Sequence, residues 1–353
     1  MMMFSNTITI TRPDDWHLHL RDGEPMSDVI TFSAERFGRA LVMPNLTPPV
    51  VTVEMATAYR NRILTELHIA RLEKKFHPLM TLYLTDNTSP EEIVEAKKSG
   101  FIHAVKYYPA GATTNSTAGV TDICAIFPVL KKMEEIGMIL CLHGEVTTPG
   151  VDVYEREMYF IGSVLFQLLD AFPNLRIVLE HITTAHAVRV VQKHGINLAA
   201  TITAHHLLAN RNDMLANGIK PHFYCKPILK TQEDQWALLQ AATSGNPKFF
   251  LGTDSAPHSQ RLKENDCGCA GCFTAPAGIE LYAEAFETMN ALDTLEGFAS
   301  HFGADFYGLP RNQDTITLVR KPWTIPDHYP FGQDVVVPFG ANEIMHWKLQ
   351  SVK

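Results

Sequence analysis

The chain has 353 residues, of which 46% are hydrophobic and 19% are charged, and its formal net charge is -8 at pH 7. This is the composition of a globular protein with ample apolar material for a large core. The acidic balance, without a cluster of lysines and arginines, argues against nucleic acid and anionic membranes as partners. No apolar run approaches the length of a membrane span, so no membrane insertion is expected.

The first residues of the chain and its cysteines both bear on the cellular compartment of the protein. Residues 1–5 lack the basic segment and the long apolar run of a secretion signal. There are six cysteines, and three of them crowd into residues 267–272 instead of spacing out as a disulfide framework. We therefore predict a reduced, cytoplasmic protein.

Apolar runs rich in β-forming residues recur along the chain, each followed by a longer segment of helical character. We predict eight strands at residues 8–20, 39–44, 79–84, 104–108, 138–143, 176–181, 197–203 and 249–254. We predict helices between them at residues 54–75, 90–98, 123–136, 155–172, 185–193 and 233–244.

The alternation of eight strands with helices is the pattern of an α/β protein with a (β/α)8 TIM barrel. The runs lack clean polar alternation, as strands buried on both faces do. An open doubly wound sheet is the alternative, but no glycine-rich phosphate loop follows the first strand. Helices at residues 278–290 and 295–306 and a tail of short strands ending near Lys348 follow the barrel pattern. No linker precedes this tail, so we predict a single domain over residues 1–353 with a short C-terminal extension.

The end of the first predicted strand carries His17, His19 and Arg21. In an extended chain these three side chains project to one face, while Trp16 and the two leucines between them project to the other. Two imidazoles in this spacing can chelate a metal ion, and the guanidinium can hold an anion beside it. The alternative is a strand with two half-buried, hydrogen-bonded imidazoles.

Polar residues also end most of the other predicted strands. They are Asn45, Lys106, His143, His181 and Asp254. In a barrel these positions converge on one mouth, where active sites of this fold lie. Each residue has a structural alternative, such as a satisfied imidazole or a helix cap, but their joint placement favours a site. Four histidines and one aspartate exceed the needs of one catalytic zinc and fit two metals that share a bridge.

Lys106 stands where a metal ligand is expected, although an ammonium group has no lone pair to donate. Burial near cations lowers the pKa of a lysine and frees an amine that reacts with carbon dioxide. The resulting carbamate is a carboxylate on a long stem that can bridge two metals. The alternative is a structural lysine that extends its ammonium to solvent.

Two loops contain small residues. Cys267, Cys269 and Cys272 lack the second cysteine pair of a usual structural zinc site, and the glycines between them suggest backbone that approaches a ligand. Residues 111–117 are small and polar, which fits either an exposed loop or a lid over the substrate.

These motifs resemble the amidohydrolase superfamily and, within it, the dihydroorotases of the short bacterial type. The resemblance covers nearly the whole chain. It is carried by residues 16–21 (WHLHLR), 43–45 (MPN), 105–109 (VKYYP), 142–145 (LHGE), 180–181 (EH), 252–258 (GTDSAPH) and 267–272 (CGCAGC).

The resemblance implies two Zn2+ ions per chain, bridged by N6-carboxylysine at Lys106 and by a hydroxide. The ligands it implies are His17, His19 and Asp254 for one ion and His143 and His181 for the other. It implies reversible cyclisation of N-carbamoyl-L-aspartate to L-dihydroorotate, an early step of pyrimidine (UMP) synthesis, with Asp254 as the proton carrier. It also implies a homodimer.

The substrate contacts that the resemblance implies fall at both sides of the cavity mouth. They are His19, Arg21, Asn45, Thr113, Thr114, His143, His258 and the backbone of Lys226 and Ala270. Arg21, as a fixed fork of donors, suits the α-carboxylate of the substrate.

Two other interpretations remain. Another cyclic-amide hydrolase, such as a hydantoinase or an allantoinase, acts on substrates without the ring carboxylate, so Arg21, Asn45 and His258 would have no shared anion to hold. A catalytically silent barrel that serves in assembly would have lost metal ligands, and none is lost in this sequence.

Overall fold

The computed structural model describes residues 6–350, so the expectation about a secretion signal in residues 1–5 lies outside the described residues. The strands are β1 (Thr7–Thr11), β2 (Asp14–Leu18), β3 (Arg39–Val42), β4 (His77–Tyr83), β5 (Ile102–Tyr107), β6 (Ile139–His143), β7 (Ile177–Glu180), β8 (Leu198–Ile202), β9 (Phe249–Leu251), β10 (Thr315–Thr324), β11 (Tyr329–Phe331), β12 (Asp334–Val336) and β13 (Ile344–Leu349).

The α-helices are α1 (Glu24–Arg36), α2 (Val53–Ile69), α3 (Pro90–Lys98), α4 (Phe127–Ile136), α5 (Arg156–Phe160), α6 (Phe166–Ala171), α7 (Ala185–Lys193), α8 (Ala204–Leu208), α9 (Arg211–Leu215), α10 (Gln232–Thr243), α11 (Gln260–Lys263), α12 (Gly278–Thr288) and α13 (Phe302–Tyr307). A π-helical turn, Ile161–Leu165, joins α5 to α6, and another, Gly297–His301, precedes α13.

Strands β2 to β9 form one parallel sheet in which each strand pairs with the next along the chain. A parallel bridge between Leu18 and Ser255 brings the end of β2 against the segment that follows β9. There the amide of Asp254 donates to the His17 carbonyl at 2.8 Å, and the amide of His19 donates to the Ser255 carbonyl at 3.1 Å. These bonds draw the two edges of the sheet together, and the architecture is the predicted (β/α)8 TIM barrel.

The prediction of one continuous first strand over residues 8–20 is wrong. The chain forms β1, breaks at Arg12 and Pro13, and resumes as β2 in a different sheet. Strand β1 pairs antiparallel with β10, whereas β2 pairs parallel with β3. Proline has no backbone N–H to donate to a ladder, so Pro13 is a natural point for one strand to end and another to begin.

The expected alternation of side chains also fails near Trp16. The pairing of β2 with β3 shifts register between Asp15 and Leu18. Trp16 stacks on Tyr307 at a ring-centroid distance of 4.2 Å inside the barrel, and the next residue, His17, contacts Glu180, another interior side chain. An irregularity of this kind turns consecutive side chains to the same side, which alternation does not allow.

The barrel interior below the mouth is a closed apolar cluster. Trp16 and Phe250 contribute large rings, Ala104 and Cys141 contribute small side chains, and Tyr307 enters from α13. The Tyr307 hydroxyl lies 3.2 Å from the Cys141 sulfur. This plug excludes water and supports the polar side chains at the mouth from beneath.

The predicted tail of short strands is present. Strand β10 lies between β1 and β13 in a three-stranded antiparallel sheet, and β11 pairs with β12. The extent of the single domain stays a prediction. All six cysteines are free. Among the helices of residues 6–350, none has the length and apolar character that crossing a membrane requires.

The contact between α13 and Trp16 can be tested by mutation. A methyl group on Gly303 would overlap the Trp16 indole. We expect Gly303→Ala to lower the free energy of unfolding by about 1–3 kcal/mol, because a packed interior resists added volume. Urea denaturation measures the loss. Gly162→Ala is the control, since this helical glycine has no atom within 4 Å of an added Cβ. Equal stability of the two variants would contradict the packing argument.

Candidate active site and metal centre

One cavity opens at the carboxyl ends of the barrel strands. Its lining consists of His17, His19, Arg21, Asn45, Tyr108, Thr113, Thr114, His143, His181, Lys226, Asp254, Ala256, Ala270 and Gly271. The lining includes every predicted site residue except Lys106 and His258. Lys106 is fully buried beneath it, and His258 contacts Arg21 at its edge.

Two histidines of the first barrel strand face one carboxylate. The Nε2 atoms of His17 and His19 lie 3.4 and 3.1 Å from Asp254 Oδ1. The other ring nitrogen of each is already engaged: Nδ1 of His17 lies 2.8 Å from Glu180 Oε2, and Nδ1 of His19 lies 2.8 Å from Asn45 Oδ1. An oxygen partner on one nitrogen and a free lone pair on the other is the usual arrangement of a metal-binding imidazole.

A second pair of histidines lies beside the first. The ring centroids of His143 and His181 are 5.0 Å apart, and His181 is also 5.0 Å from the ring of His17. His143 Nε2 lies 2.8 Å from Glu145 Oε2, which leaves Nδ1 as its available donor. The Nδ1 atom of His181 is buried without a partner among the described residues. These rings can hold a second ion next to the first.

Lys106 lies at the end of β5 between the two pairs of histidines. Its side chain is fully buried, and its Nζ atom has no hydrogen-bond partner within residues 6–350. Burial lowers the pKa of this amine, because the charged form loses its hydration. An orphaned amine among four imidazoles and a carboxylate fits the carbamate bridge of a two-metal centre, so this donor set fits two divalent cations.

The protonation states suit metal binding as well. Burial lowers the pKa of His17, His19 and His181, so these rings are neutral at pH 7. Burial acts to raise the pKa of Asp254, but His17 and His19 overcome it and lower the pKa to about 2. Neutral imidazoles and an ionised carboxylate are the forms that ligate metals.

Three residues of the site hold left-handed backbone conformations. The φ angles are 61° at Arg21, 41° at His181 and 45° at Asp254. Such a conformation costs a residue with a side chain about 1–2 kcal/mol. Hydrogen bonds compensate, since the amide of His181 donates to Thr201 Oγ1 at 2.7 Å. The barrel thus carries backbone strain at the positions that aim these side chains into the cavity.

Arg21 is fixed at one side of the cavity. Its Nε atom donates to the Pro257 carbonyl at 2.7 Å, and its Nη2 atom donates to His258 Nε2 at 2.9 Å. Burial and the Arg21 charge hold the pKa of His258 well below its usual value, so the ring is neutral and accepts this bond. The guanidinium is therefore oriented before any ligand arrives, and its Nη1 atom remains for an anion.

The loop that contains Thr113 and Thr114 covers the mouth. The side-chain amide of Asn45 donates to the Thr114 carbonyl at 3.1 Å, and that of Asn115 donates to the Asn45 carbonyl at 3.0 Å. The Thr114 hydroxyl lies 3.4 Å from the carbonyl of Ala270. Of the two interpretations of this loop, its placement favours a cover over the site.

Several site residues were given no role from sequence. Tyr108 lines the cavity, and its buried hydroxyl has no partner among residues 6–350. Tyr108 and Glu145 follow Lys106 and His143 by two positions, a spacing that could have flagged them. Gly271 packs closely against the protein itself, because a Cβ there would lie 2.9 Å from that of Ala256, and the expected approach of this loop to a ligand stays a prediction. Ala256 belongs to the motif at residues 252–258 but was given no role.

Comparisons with known proteins agree with this geometry. The model of the amidohydrolase family matches residues 10–323. A dihydroorotase of Vibrio vulnificus (strain YJ016) is 60% identical over 344 residues, which cover 98% of this chain and 99% of that protein. This chain belongs to the dihydroorotase family.

Solved dihydroorotases have the same fold. The structure from Campylobacter jejuni matches with a TM-score of 0.90 and 36% identity over 99% of both chains. That from Saccharomyces cerevisiae, in complex with 5-fluoroorotic acid, matches with a TM-score of 0.89 and 35% identity over 98% of both chains. The predicted barrel of this dihydroorotase family member is therefore confirmed by its relatives as well as by its own strands.

Glu180 orients His17, and its removal should weaken metal binding. Glutamine keeps the shape of Glu180 but not the charge that makes the His17 imidazole a stronger donor. We expect Glu180→Gln to lower metal affinity about 10- to 100-fold, measured by competition with a chromogenic chelator. Glu157→Gln is the matched control, because Glu157 is equally buried but bonds to Thr183 and Thr184. An equal loss of affinity in both variants would show that Glu180 has no specific effect.

Proposed function

We propose that the chain is a zinc-dependent dihydroorotase that reversibly interconverts N-carbamoyl-L-aspartate and L-dihydroorotate in pyrimidine biosynthesis. The observation that carries this proposal is the placement of a donor set for two metals and a pre-oriented Arg21 in one cavity. The metal donor set suits hydrolysis of an amide, and Arg21 suits a carboxylate on the ring of the substrate. The yeast relative solved with 5-fluoroorotic acid, a pyrimidine with a ring carboxylate, supports the same substrate class.

The proposed centre divides its ligands between two ions. His17, His19 and Asp254 would hold one, His143 and His181 would hold the other, and Lys106, as its carbamate, would be a ligand that the two ions share. When bound, the two metals lower the pKa of a shared water and polarise the ring amide carbonyl.

Asp254 is the proposed catalytic proton carrier. It is ionised at neutral pH and lies beside both imidazoles of β2, at the centre of the donor set. In ring opening it accepts the proton of the attacking water and delivers it to the leaving amide nitrogen. In ring closure it takes the proton from that nitrogen and returns it to the departing water. One group therefore serves both directions.

The remaining predicted contacts bind the substrate. Arg21, Asn45, His258 and the backbone of Ala270 hold the α-carboxylate, and the Lys226 backbone contacts the opposite side of the ring. Thr113 and Thr114 close over the substrate, with His19 and His143 beside it. A hydantoinase or allantoinase substrate has no ring carboxylate, so the fixed guanidinium disfavours those activities.

Zinc as the resident metal, a homodimeric assembly and a cytoplasmic location complete the proposal. They rest on the resemblance and the composition described above.

A direct assay tests the function. The purified chain should convert both N-carbamoyl-L-aspartate and L-dihydroorotate, and it should leave hydantoin intact. Ring closure takes up one proton above the carboxyl pKa, so the equilibrium ratio of ring to open chain should fall about tenfold for each unit of pH. Conversion of hydantoin at a rate similar to that of dihydroorotate would refute the assignment.

Lys106→Ala tests the bridge between the metals. We expect this variant to bind markedly less than two metals per chain and to lose activity, because the shared ligand is gone. A small added carboxylate should restore part of the activity. Metal analysis and turnover measure both effects. Lys230→Ala removes another buried lysine, one that donates to the Ile228 carbonyl, and should keep the full metal content. A fully active, fully loaded Lys106→Ala variant would rule out the bridge.

Arg21→Lys tests the carboxylate contact. Lysine keeps the charge but lacks the fork of paired donors. We expect kcat/KM for dihydroorotate to fall about 10- to 100-fold, the equivalent of one charge-assisted hydrogen bond, while metal content stays normal. Unchanged kinetics would show that Arg21 does not hold the substrate.

A further inference from the structure

A second group of metal-capable side chains lies outside the cavity lining. It consists of His205, His206 and Cys225, whose ligand atoms all lie within 4.8 Å of one another. The two histidines belong to α8, directly after β8, and Cys225 lies in the segment that precedes α10. The three residues are 0%, 2% and 1% exposed. This cluster, here called the inner cluster, shares no residue with the proposed catalytic centre.

His205 is the observation that points to a ligand. Both of its ring nitrogens are buried, and neither has a hydrogen-bond partner among the described residues. Its ring packs against those of His206 and Phe339, with centroid distances of 4.5 and 6.2 Å. Burying a donor and an acceptor without partners is costly, and folded proteins rarely do so. A bound cation would satisfy one of these nitrogens.

Cys225 supplies a thiol at the same place. Its sulfur lies 3.8 Å from His206 Nε2. A hydrogen bond with the Cys272 thiol, together with burial, raises the pKa of Cys225 well above its usual value. The group is therefore a thiol in the absence of metal.

Lys263 sets the local charge. Its ammonium donates to the carbonyls of Tyr224, Cys269 and Gly271 at 3.1, 2.9 and 2.7 Å. Its charge acts to lower the pKa of Cys225, although the hydrogen bond with Cys272 and burial raise that pKa overall.

We propose that the inner cluster binds a thiophilic divalent cation of the Zn2+ class through His205, His206 and Cys225. Thiolate and imidazole are the ligands that Zn2+ prefers. The coordinating thiol releases one proton to solvent when the metal binds.

His206 exchanges one bond in this step. Its Nε2 atom now donates to the Pro227 carbonyl at 2.9 Å, and its Nδ1 atom lies 2.7 Å from the Thr203 hydroxyl. When Nε2 binds the metal, its proton is transferred to Nδ1, which then donates to the Thr203 oxygen. The ring stays neutral throughout. The Pro227 carbonyl, which also accepts from the Cys225 thiol at 3.3 Å, loses both of these donors when the metal binds.

Metal binding at the inner cluster would cross-link two parts of the chain behind the substrate cavity. The metal would join α8 to the segment of Cys225 and Lys226, and Lys226 lines the cavity. The inner cluster is therefore structural support for the cavity wall.

Cobalt(II) separates the two kinds of site. Thiolate bonds to cobalt give an intense near-ultraviolet charge-transfer band, and the proposed catalytic centre has no thiolate. Co2+ is added to the full-length, chelator-treated chain in a background with serine at Cys124, Cys267 and Cys269, which removes the exposed and half-exposed thiols. We expect the band to grow until one thiolate-bound cobalt is present per chain, and to disappear when Zn2+ is added.

Two variants in this background decide the assignment. Cys225→Ser and His205→Gln should each lose the band and one metal per chain, whereas Cys141→Ser, which removes another buried thiol, should keep both. His205→Gln retains all the remaining thiols, and it should also lose the rise in Tm that Zn2+ gives the background. This readout separates loss of a ligand from failure to fold.

The proposal is overturned if the background shows no band, or if the band persists in Cys225→Ser or in His205→Gln. The turnover assay follows catalysis, and the cobalt band follows the inner cluster. An active chain without the band rejects the inner cluster only, and an inactive chain with the band rejects the proposed function only.

Discussion

Closure of the barrel between β2 and the segment after β9 is the constraint on which the site depends. The Asp15 carboxylate accepts bonds from the amide and hydroxyl of Thr253 at 2.8 and 2.6 Å and from the amide of His17 at 3.1 Å. Burial raises the pKa of Asp15 to about 7, and these three bonds offset part of that cost. Residues at the first and last strands of the barrel, His17 and Asp254, become neighbours only because this seam forms.

Much of the site was predictable, because the fold itself converts a linear pattern into a location. A polar residue at the end of a buried parallel strand must face the mouth of a barrel, whatever its neighbours are. That rule places His143, His181 and Asp254 together without any knowledge of side-chain geometry. The same rule fails where the strand is irregular, as it is at Trp16, because a register shift depends on pairing with β3 and not on local composition. Left-handed backbone at Arg21 is also set by its surroundings, since an arginine has no intrinsic preference for it.

His17 in β2 and His19 just after it have different environments. His17 leans on a carboxylate, Glu180, while His19 leans on an amide, that of Asn45. A carboxylate partner strengthens an imidazole as a metal donor, so the two rings differ in the partner that supports them. The Thr201 hydroxyl donates to Glu180 at 2.6 Å and keeps this carboxylate in place. The barrel therefore gives His17 and His19 different hydrogen-bond partners and so sets how strongly each ring can donate to a metal.

Asn45 contacts both a proposed metal ligand and the loop over the site. Its side-chain oxygen lies beside His19 Nδ1, and its side-chain nitrogen donates to the Thr114 carbonyl. The side-chain amide of Asn45 therefore couples the proposed metal binding at His19 to the position of the loop. Thermodynamic reciprocity requires that such a coupling act equally in both directions. Under the proposed function, any preference that the seated loop confers on metal binding at His19 is conferred equally by that metal on the seated loop.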